Sequence, residues 1–176
     1  EHSFNIEDLI SGATDATHSY ITDEPYFFGK RNIPINIFKP SDYDIDFYGD
    51  CLFSSESQCL SDPELVRTFR DASLKGWEYA MRHPDEIVQL IVEKYRSKLS
   101  AEHLEFEARK VNDLLMPNII ELGHMNKDRW LHIAQTYADL GMCEPVGDFE
   151  GFFFDQLVPR SNTWLIWFIV ISLFLS

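Results

Sequence analysis

The apolar run at residues 164–176 constrains the fold most, because it follows directly on an acidic, polar body. As a helix, about 13 residues span roughly 20 Å, whereas the hydrocarbon core of a bilayer is about 30 Å thick. One interpretation is a buried C-terminal helix of a globular domain. We favour the other, the first half of a transmembrane helix in a truncated chain. The run has no recurring polar face, and Trp164 and Trp167 stand at its entrance, where interfacial aromatic residues belong.

The composition of the chain is that of a folded, acidic protein. Of the 176 residues, 45% are hydrophobic and 14% aromatic, which predicts a globular domain with a core and excludes intrinsic disorder. The formal net charge is −14 at pH 7. Because no basic stripe is available to neutralise phosphates, we expect neither a nucleic-acid partner nor docking of the body onto anionic lipid.

The three cysteines leave two states open. Cys51 and Cys59 flank a short segment and can pair in an oxidising compartment, which leaves Cys143 free. Three free thiols are the favoured alternative.

No motif predicts a catalytic residue, a metal site or a cofactor. The histidines are scattered without paired spacing, and neither a nucleophile motif nor a phosphate-binding glycine loop occurs. The aspartates at positions 42, 44, 46 and 50 suggest a calcium loop, but Phe47 and Phe53 stand where that loop requires Gly and Glu. A solvated acidic connector is the favoured interpretation.

The pattern of apolar and turn residues predicts an α/β fold. Short helices are predicted over residues 4–10 and 23–32. Alternating apolar residues predict strands over residues 13–20, 33–37 and 51–54. Strand–helix–strand units of this length indicate a parallel sheet. The later part is predicted to form four helices, which begin at Pro63, Pro84, Ser100 and Asn126.

Apolar spacing also predicts which faces of these later helices are covered. On the first of them the predicted inner residues are Leu65, Phe69, Ala72, Gly76 and Ala80. On the third they are Leu104, Ala108, Val111 and Leu115.

Two connectors carry residues suited to binding a flat small molecule. One set lies where a predicted strand meets the start of a helix, the usual ligand position in open α/β sheets: Tyr20, Thr22, Asp23 and Glu24. The second set is Phe47, Tyr48, Gly49 and Asp50. Aromatic rings can stack on a heterocycle while a carboxylate accepts hydrogen bonds from its ring or amino groups. The alternatives are ordinary core packing for the aromatic residues and a helix-dipole contact for Glu24.

Several linked motifs give the chain a family likeness. They are Gly12-Ala-Thr-Asp-Ala16, Tyr20-Ile-Thr-Asp-Glu-Pro25, Asp42-Tyr-Asp-Ile-Asp-Phe-Tyr-Gly-Asp50 and Lys75-Gly-Trp-Glu-Tyr-Ala-Met-Arg-His-Pro-Asp-Glu86. In this order they resemble the periplasmic solute-binding proteins of the thiamine-pyrimidine-precursor type. Gly123-His-Met125 and the segment that begins Arg129-Trp-Leu-His-Ile look more like the subgroup fused to bacterial membrane sensor proteins.

The resemblance implies a two-lobed, type II periplasmic-binding-protein-like α/β clamp, of which this chain is the later part. Residues 1–156 would form the solute-binding-like domain, residues 157–163 a juxtamembrane linker, and residues 164–176 the start of the transmembrane helix. In the family the Thr-Asn-Glu-Pro segment faces the cleft, which maps here to residues 22–25. Asp23 replaces the usual Asn, Asp44 stands where Gly is common, and Cys51 stands where Thr is common. These departures bear on the ligand more than on the fold.

The function that the resemblance implies is an extracytoplasmic small-molecule sensor domain of a bacterial inner-membrane signalling protein, on the periplasmic or extracellular side. The ligand would be a thiamine pyrimidine precursor or a similar heterocycle. The alternative is the substrate-binding component of an ABC transporter, and an enzyme of pyrimidine biosynthesis is a distant third. The expected partners are the ligand, the membrane through the C-terminal helix, and a second copy through a signalling module.

Overall fold

The computed structural model describes residues 5–158, and helices are their regular elements. The helices are α1 (Ile6–Ile10), α2 (Glu24–Lys30), α3 (Glu56–Ser61), α4 (Pro63–Arg82), α5 (Pro84–Glu93), α6 (Ala101–Leu115), α7 (Lys127–Asp139) and α8 (Phe154–Leu157). A 3-10 helix spans Pro40–Tyr43. The predicted starts of α2, α4, α5, α6 and α7 are confirmed within one residue, whereas α1 begins two residues later than predicted.

Polar side chains fix where the long helices begin. The Ser100 hydroxyl accepts a hydrogen bond from the backbone N–H of His103 at 3.2 Å, and Asn126 Oδ1 accepts from that of Asp128 at 2.8 Å. Asp62 Oδ1 does the same at the start of α4, at 3.1 Å from the Leu65 nitrogen. Each of these bonds satisfies a backbone donor that has no partner inside the helix.

The described residues divide into two compact units. The first comprises residues 5–39 and 72–125. Its buried side chains are Phe28 from α2, Val88 from α5, and His103 and Leu104 from α6, and α5 packs against α6. The predicted inner face of α6 is confirmed, because all four of its residues are buried or half-buried.

The second unit comprises residues 40–71 and 126–158. Helix α3 contributes the buried Cys59 and contacts α8. The guanidinium groups of Arg67 and Arg70 lie 5.0 and 5.6 Å from the centre of the Phe154 ring. Asp155 forms ion pairs with both arginines, at 3.7 and 3.1 Å. Two cations near one ring, both paired with the neighbouring carboxylate, therefore hold α8 on the start of α4.

The predicted strands are absent from residues 5–158. Residues 16–20, 33–39 and 51–55 have no regular secondary structure. Around the second of these, burial still alternates, since Ile33 and Ile35 are half-buried while Pro34 and Asn36 are exposed. An alternation of apolar residues indicates which side chains are covered. A strand also needs backbone hydrogen bonds to a second extended segment. The prediction of a parallel sheet is therefore wrong for the described residues.

The predicted inner face of α4 is wrong as well. Leu65 and Phe69 are 55% and 61% exposed, whereas Val66, Arg70 and Leu74 are half-buried. The reason is that Phe154 and Asp155 of α8 contact Arg67 and Arg70, so α8 covers the side of α4 that carries the arginines. The methylene groups of an arginine can be buried against apolar atoms while its guanidinium group forms ion pairs. The positions of the apolar residues therefore do not decide which face of α4 is buried.

Two further predictions have separate outcomes. Residues 164–176, the predicted transmembrane segment, lie outside the described residues, and no helix within 5–158 is long and apolar enough to cross a bilayer. Cys51, Cys59 and Cys143 are all free thiols.

Candidate functional site

The start of α2 carries the first set of predicted binding residues on a tight turn. The backbone N–H of Asp23 donates to the carbonyl of Tyr20 at 3.0 Å, and the N–H of Tyr20 donates to Glu24 Oε2 at 2.7 Å. Thr22 is half-buried within this turn, while Tyr20 is 63% exposed with its ring edge-on to His18 at 5.8 Å. The turn thus presents an exposed aromatic ring on Tyr20 and joins its backbone N–H to one carboxylate oxygen of Glu24.

Asp23 precedes α2 but does not cap it with its side chain. Its Oδ1 lies instead 2.8 Å from Nε2 of His103 on α6. Although 40% of the Asp23 side chain is exposed, the Oδ1 atom itself is closed off from solvent. The carboxylate is therefore directed at a residue far along the chain and away from the N–H groups of its own helix.

His103 is 1% exposed and is held between two rings of α2. The Tyr26 ring stacks on the imidazole with centroids 4.3 Å apart and an angle of 6° between planes, and Phe27 meets it edge-on at 4.8 Å. Aromatic contacts on the face and the edge fix the orientation of the imidazole. The position of Nε2 is consequently set by packing.

Glu107 lies one helical turn beyond His103 and completes the cluster. One ligand atom from each of Asp23, His103 and Glu107 lies within 4.8 Å of the other two. Burial raises the pKa of the Glu107 carboxyl, the negative charge of Asp23 raises it further, and His103 opposes both. The cluster joins two carboxylates and one imidazole, which sequence inspection misses because Asp23 stands about 80 residues from its partners. The i, i+4 spacing of His103 and Glu107 on α6 is the one local signal of it.

An open groove of about 310 Å³ is lined in part by Tyr26. Its lining comes from α2 and α6: Pro25, Tyr26, Gly29, Lys30, Glu102, Phe106 and Arg109. Lys30 donates to Glu102, which raises the pKa of the lysine and lowers that of the glutamate. The groove therefore has an apolar floor and a rim of paired charges.

In the second unit, Tyr48 takes part in a network of polar and ring contacts. Its hydroxyl accepts the backbone N–H of Asn126 at 2.8 Å, and the Arg129 guanidinium lies 4.6 Å from its ring centre. Arg129 also donates from Nε to Asp46 at 2.8 Å, and this bond is the main cause of its raised pKa. Trp130 lies 5.4 Å from the same ring. A heterocycle can stack on the face beneath Arg129 only if that side chain moves.

The neighbours of Tyr48 differ in how open they are. Phe47 is half-buried and packs against Tyr137, with ring centroids 5.5 Å apart. Gly49 and Asp50 are exposed. The eight predicted binding residues thus divide equally between the units, four in each.

Comparison with known proteins bears on the first half of the chain. Residues 2–87 match the model of the family described as NMT1/THI5 like. Over this stretch the chain is similar to that family. The family likeness supports the thiamine-precursor type of solute-binding protein and implies a periplasmic-binding-protein-like fold. The matched stretch includes both sets of predicted binding residues, but it ends before His103 and Glu107.

A curated relative points to the same family. The formylaminopyrimidine-binding protein of Halalkalibacterium halodurans is 30% identical over 86 residues, which is 48% of this chain. The aligned part covers 26% of the relative, so the chain spans about a quarter of that protein's length. No solved structure matches the chain.

Proposed function

We propose that the chain is part of a non-enzymatic binding protein for a thiamine pyrimidine precursor or a similar heterocycle. The observation that carries the proposal is the family match over residues 2–87, which contains the Tyr20–Glu24 turn. The name of the relative, a formylaminopyrimidine-binding protein, supports a pyrimidine as the ligand class.

The turn before α2 has the chemistry that such a ligand requires. Tyr20 offers an exposed ring for stacking, and Glu24 offers a carboxylate oxygen to an amino group or a protonated ring nitrogen. In the second unit, Asp50 is exposed and Phe47 is half-buried. We assign Thr22, Asp23, Tyr48 and Gly49 to the same ligand-binding sets.

We further propose that the binding domain acts as an extracytoplasmic sensor anchored in a bacterial inner membrane. The apolar pattern of residues 164–176 supports the anchor, and the likeness of the segment after Arg129 to sensor-fused relatives supports the signalling role. Dimerisation would then occur through the signalling module. A substrate-binding component of an ABC transporter is the second candidate, and the relative is likewise named for ligand binding.

Native mass spectrometry of the full chain with added formylaminopyrimidine tests the ligand assignment. We expect a 1:1 complex for the wild type and at least a tenfold loss of affinity for Glu24→Gln, about 1.4 kcal/mol, because a charge-assisted hydrogen bond is lost. Glutamine retains a carbonyl oxygen for the Tyr20 N–H, so the turn is preserved. Glu78→Gln, an exposed position on α4, is the matched control and should bind like the wild type. An unshifted mass for the wild type, or equal binding by the two variants, would reject the assignment.

A further inference from the structure

The cluster formed by Asp23, His103 and Glu107 has the geometry of an ion-binding site. His103 Nε2 and Asp23 Oδ1 lie 2.8 Å apart, and neither atom has a hydrogen-bond partner among the described residues. Although the two atoms are close, the N–H of the imidazole is not aligned with the carboxylate oxygen. The imidazole therefore does not donate a hydrogen bond to Asp23. Two electron-rich atoms that face a common point in this way are arranged as ligands of a third atom.

The charges of the cluster point to a divalent cation. Two carboxylates carry a charge of −2, and a protonated imidazole neutralises only half of it. An uncompensated charge shielded from water is costly, whereas one divalent ion balances both carboxylates and leaves the imidazole neutral as a ligand.

We propose that Asp23, His103 and Glu107 bind a divalent transition-metal ion of the zinc type. Imidazole nitrogen suits zinc and its neighbours in the first transition row, whereas calcium and magnesium prefer sites made of oxygen alone. Ligand atoms about 2.1 Å from one ion lie roughly 3–4 Å from one another. The three ligand atoms already lie within 4.8 Å of one another, close to that range.

The aromatic packing of His103 prepares the site for binding. With its imidazole fixed between Tyr26 and Phe27, Nε2 is already buried and oriented before an ion arrives. Three protein ligands leave at least one coordination position for water or for a donor atom of another molecule. Asp23 also neighbours Glu24, so an ion here would place positive charge next to the proposed pyrimidine site.

Equilibrium dialysis of the chelator-treated full chain against zinc alone tests the proposal. We expect one zinc per chain, and Glu107→Gln and Asp23→Asn should each weaken the affinity by about tenfold or more. Glu105→Gln removes the same charge from an exposed position on α6 and should stay within about twofold of the wild type. Equal affinities for Glu107→Gln and Glu105→Gln, or less than about a tenth of an equivalent bound by the wild type, would overturn the proposal.

A second measurement separates metal loss from unfolding. His103 is buried, so His103→Gln is assayed by circular dichroism alongside dialysis, with the exposed His124→Gln as control. Cobalt substituted for zinc gives a visible absorption spectrum that reports nitrogen and oxygen ligands. We expect Glu107→Gln to alter that spectrum while its helical signal is retained, and an unaltered spectrum would contradict the site. Because no pyrimidine is present, this outcome is independent of the ligand assignment above.

Discussion

Two glutamates on α6 have pKa values shifted in opposite directions. A hydrogen bond from Lys30 lowers the pKa of Glu102, whereas burial raises that of Glu107, five positions further on. The residue type is the same and both lie on one helix, so the surroundings of each carboxyl group account for the opposite pKa shifts. At the scale of the residue, the ionisation of a carboxyl group therefore depends on its hydrogen bonds and burial as well as on its residue type.

Tyr79 shows how a single partner links pKa to stability. Its hydroxyl donates to Glu86 Oε2 at 2.7 Å, and this bond to the carboxylate raises the pKa of the phenol. A group whose pKa is raised on folding contributes stability below its unfolded-state pKa, about 10, and loses it as the pH rises through the folded-state value. We therefore expect Tyr79→Phe to melt below the wild type at pH 7–9 and the difference to shrink above pH 10.

Thermal unfolding followed by circular dichroism at several pH values measures this effect. Tyr43→Phe, at a tyrosine that is 63% exposed, is the control and should leave the melting temperature unchanged across the range. A constant difference between Tyr79→Phe and the wild type from pH 7 to 11 would show that the hydrogen bond to Glu86 is not its source.

At the scale of the element, local signals predicted where helices begin but not always which face is covered. Caps such as Ser100 and Asn126 act within three residues, so the sequence contains all that is needed to place them. The covered face of α6 followed its apolar stripe. That of α4 did not, because α8 docks on the arginine side through Phe154 and Asp155. Apolar periodicity predicts the buried face of a helix correctly only where the neighbouring element packs against the apolar residues.

Two glycines provide a matched test of backbone constraint. Gly76 lies inside α4, and a methyl group there would meet no atom within 4 Å. Gly123 has φ +78°, and a methyl group there would lie 2.8 Å from Leu74 Cδ2. We expect Gly76→Ala to stabilise the chain by up to about 1 kcal/mol, because alanine favours the helix. Gly123→Ala should destabilise it by roughly 1–3 kcal/mol through strain and contact with Leu74.

Urea denaturation of both variants gives the two free energies of unfolding directly. The opposite signs are the decisive result, because both substitutions add the same methyl group. Equal effects would mean that the positive φ of Gly123 imposes no constraint on the folded chain.

At the scale of the whole molecule, the sequence predicted helices and one member of the acidic cluster. It predicted neither the absence of a sheet from residues 5–158 nor the cluster itself. Strand pairing and the meeting of Asp23 with His103 both depend on contacts between distant segments, which local periodicity does not encode. Of the two predicted binding sets, the structure places one on an open turn and the other among packed rings. The family match over residues 2–87 covers both sets.

The exposed apolar side chains and the net charge of the molecule act against each other in solution. Phe53, Ile119 and Phe38 are 90%, 82% and 76% exposed, which favours association, whereas a net charge of −14 keeps molecules apart. Salt shortens the range of this repulsion to about 10 Å at 0.1 M ionic strength. We therefore expect the apparent mass from light scattering to rise between about 20 and 500 mM salt.

Replacing Phe53 by serine tests the apolar part of this balance. The variant should associate less at high salt, while Asn118→Ser, at an exposed polar position, should behave as the wild type. A chain that stays monomeric at every salt concentration would show that these side chains do not drive association.

The orientation of the Asp23 carboxylate has a consequence for the order of events during synthesis. The residue before a helix is well placed to cap it, yet here its side chain reaches across to α6. At about 5–20 residues per second, His103 leaves the ribosome roughly 4–16 s after Asp23. During that interval Asp23 is free to cap α2 and so stabilise the nascent helix. When α6 arrives, we expect the carboxylate to leave the helix start for its place beside His103 Nε2, so that one side chain serves first its own helix and then the cluster with α6.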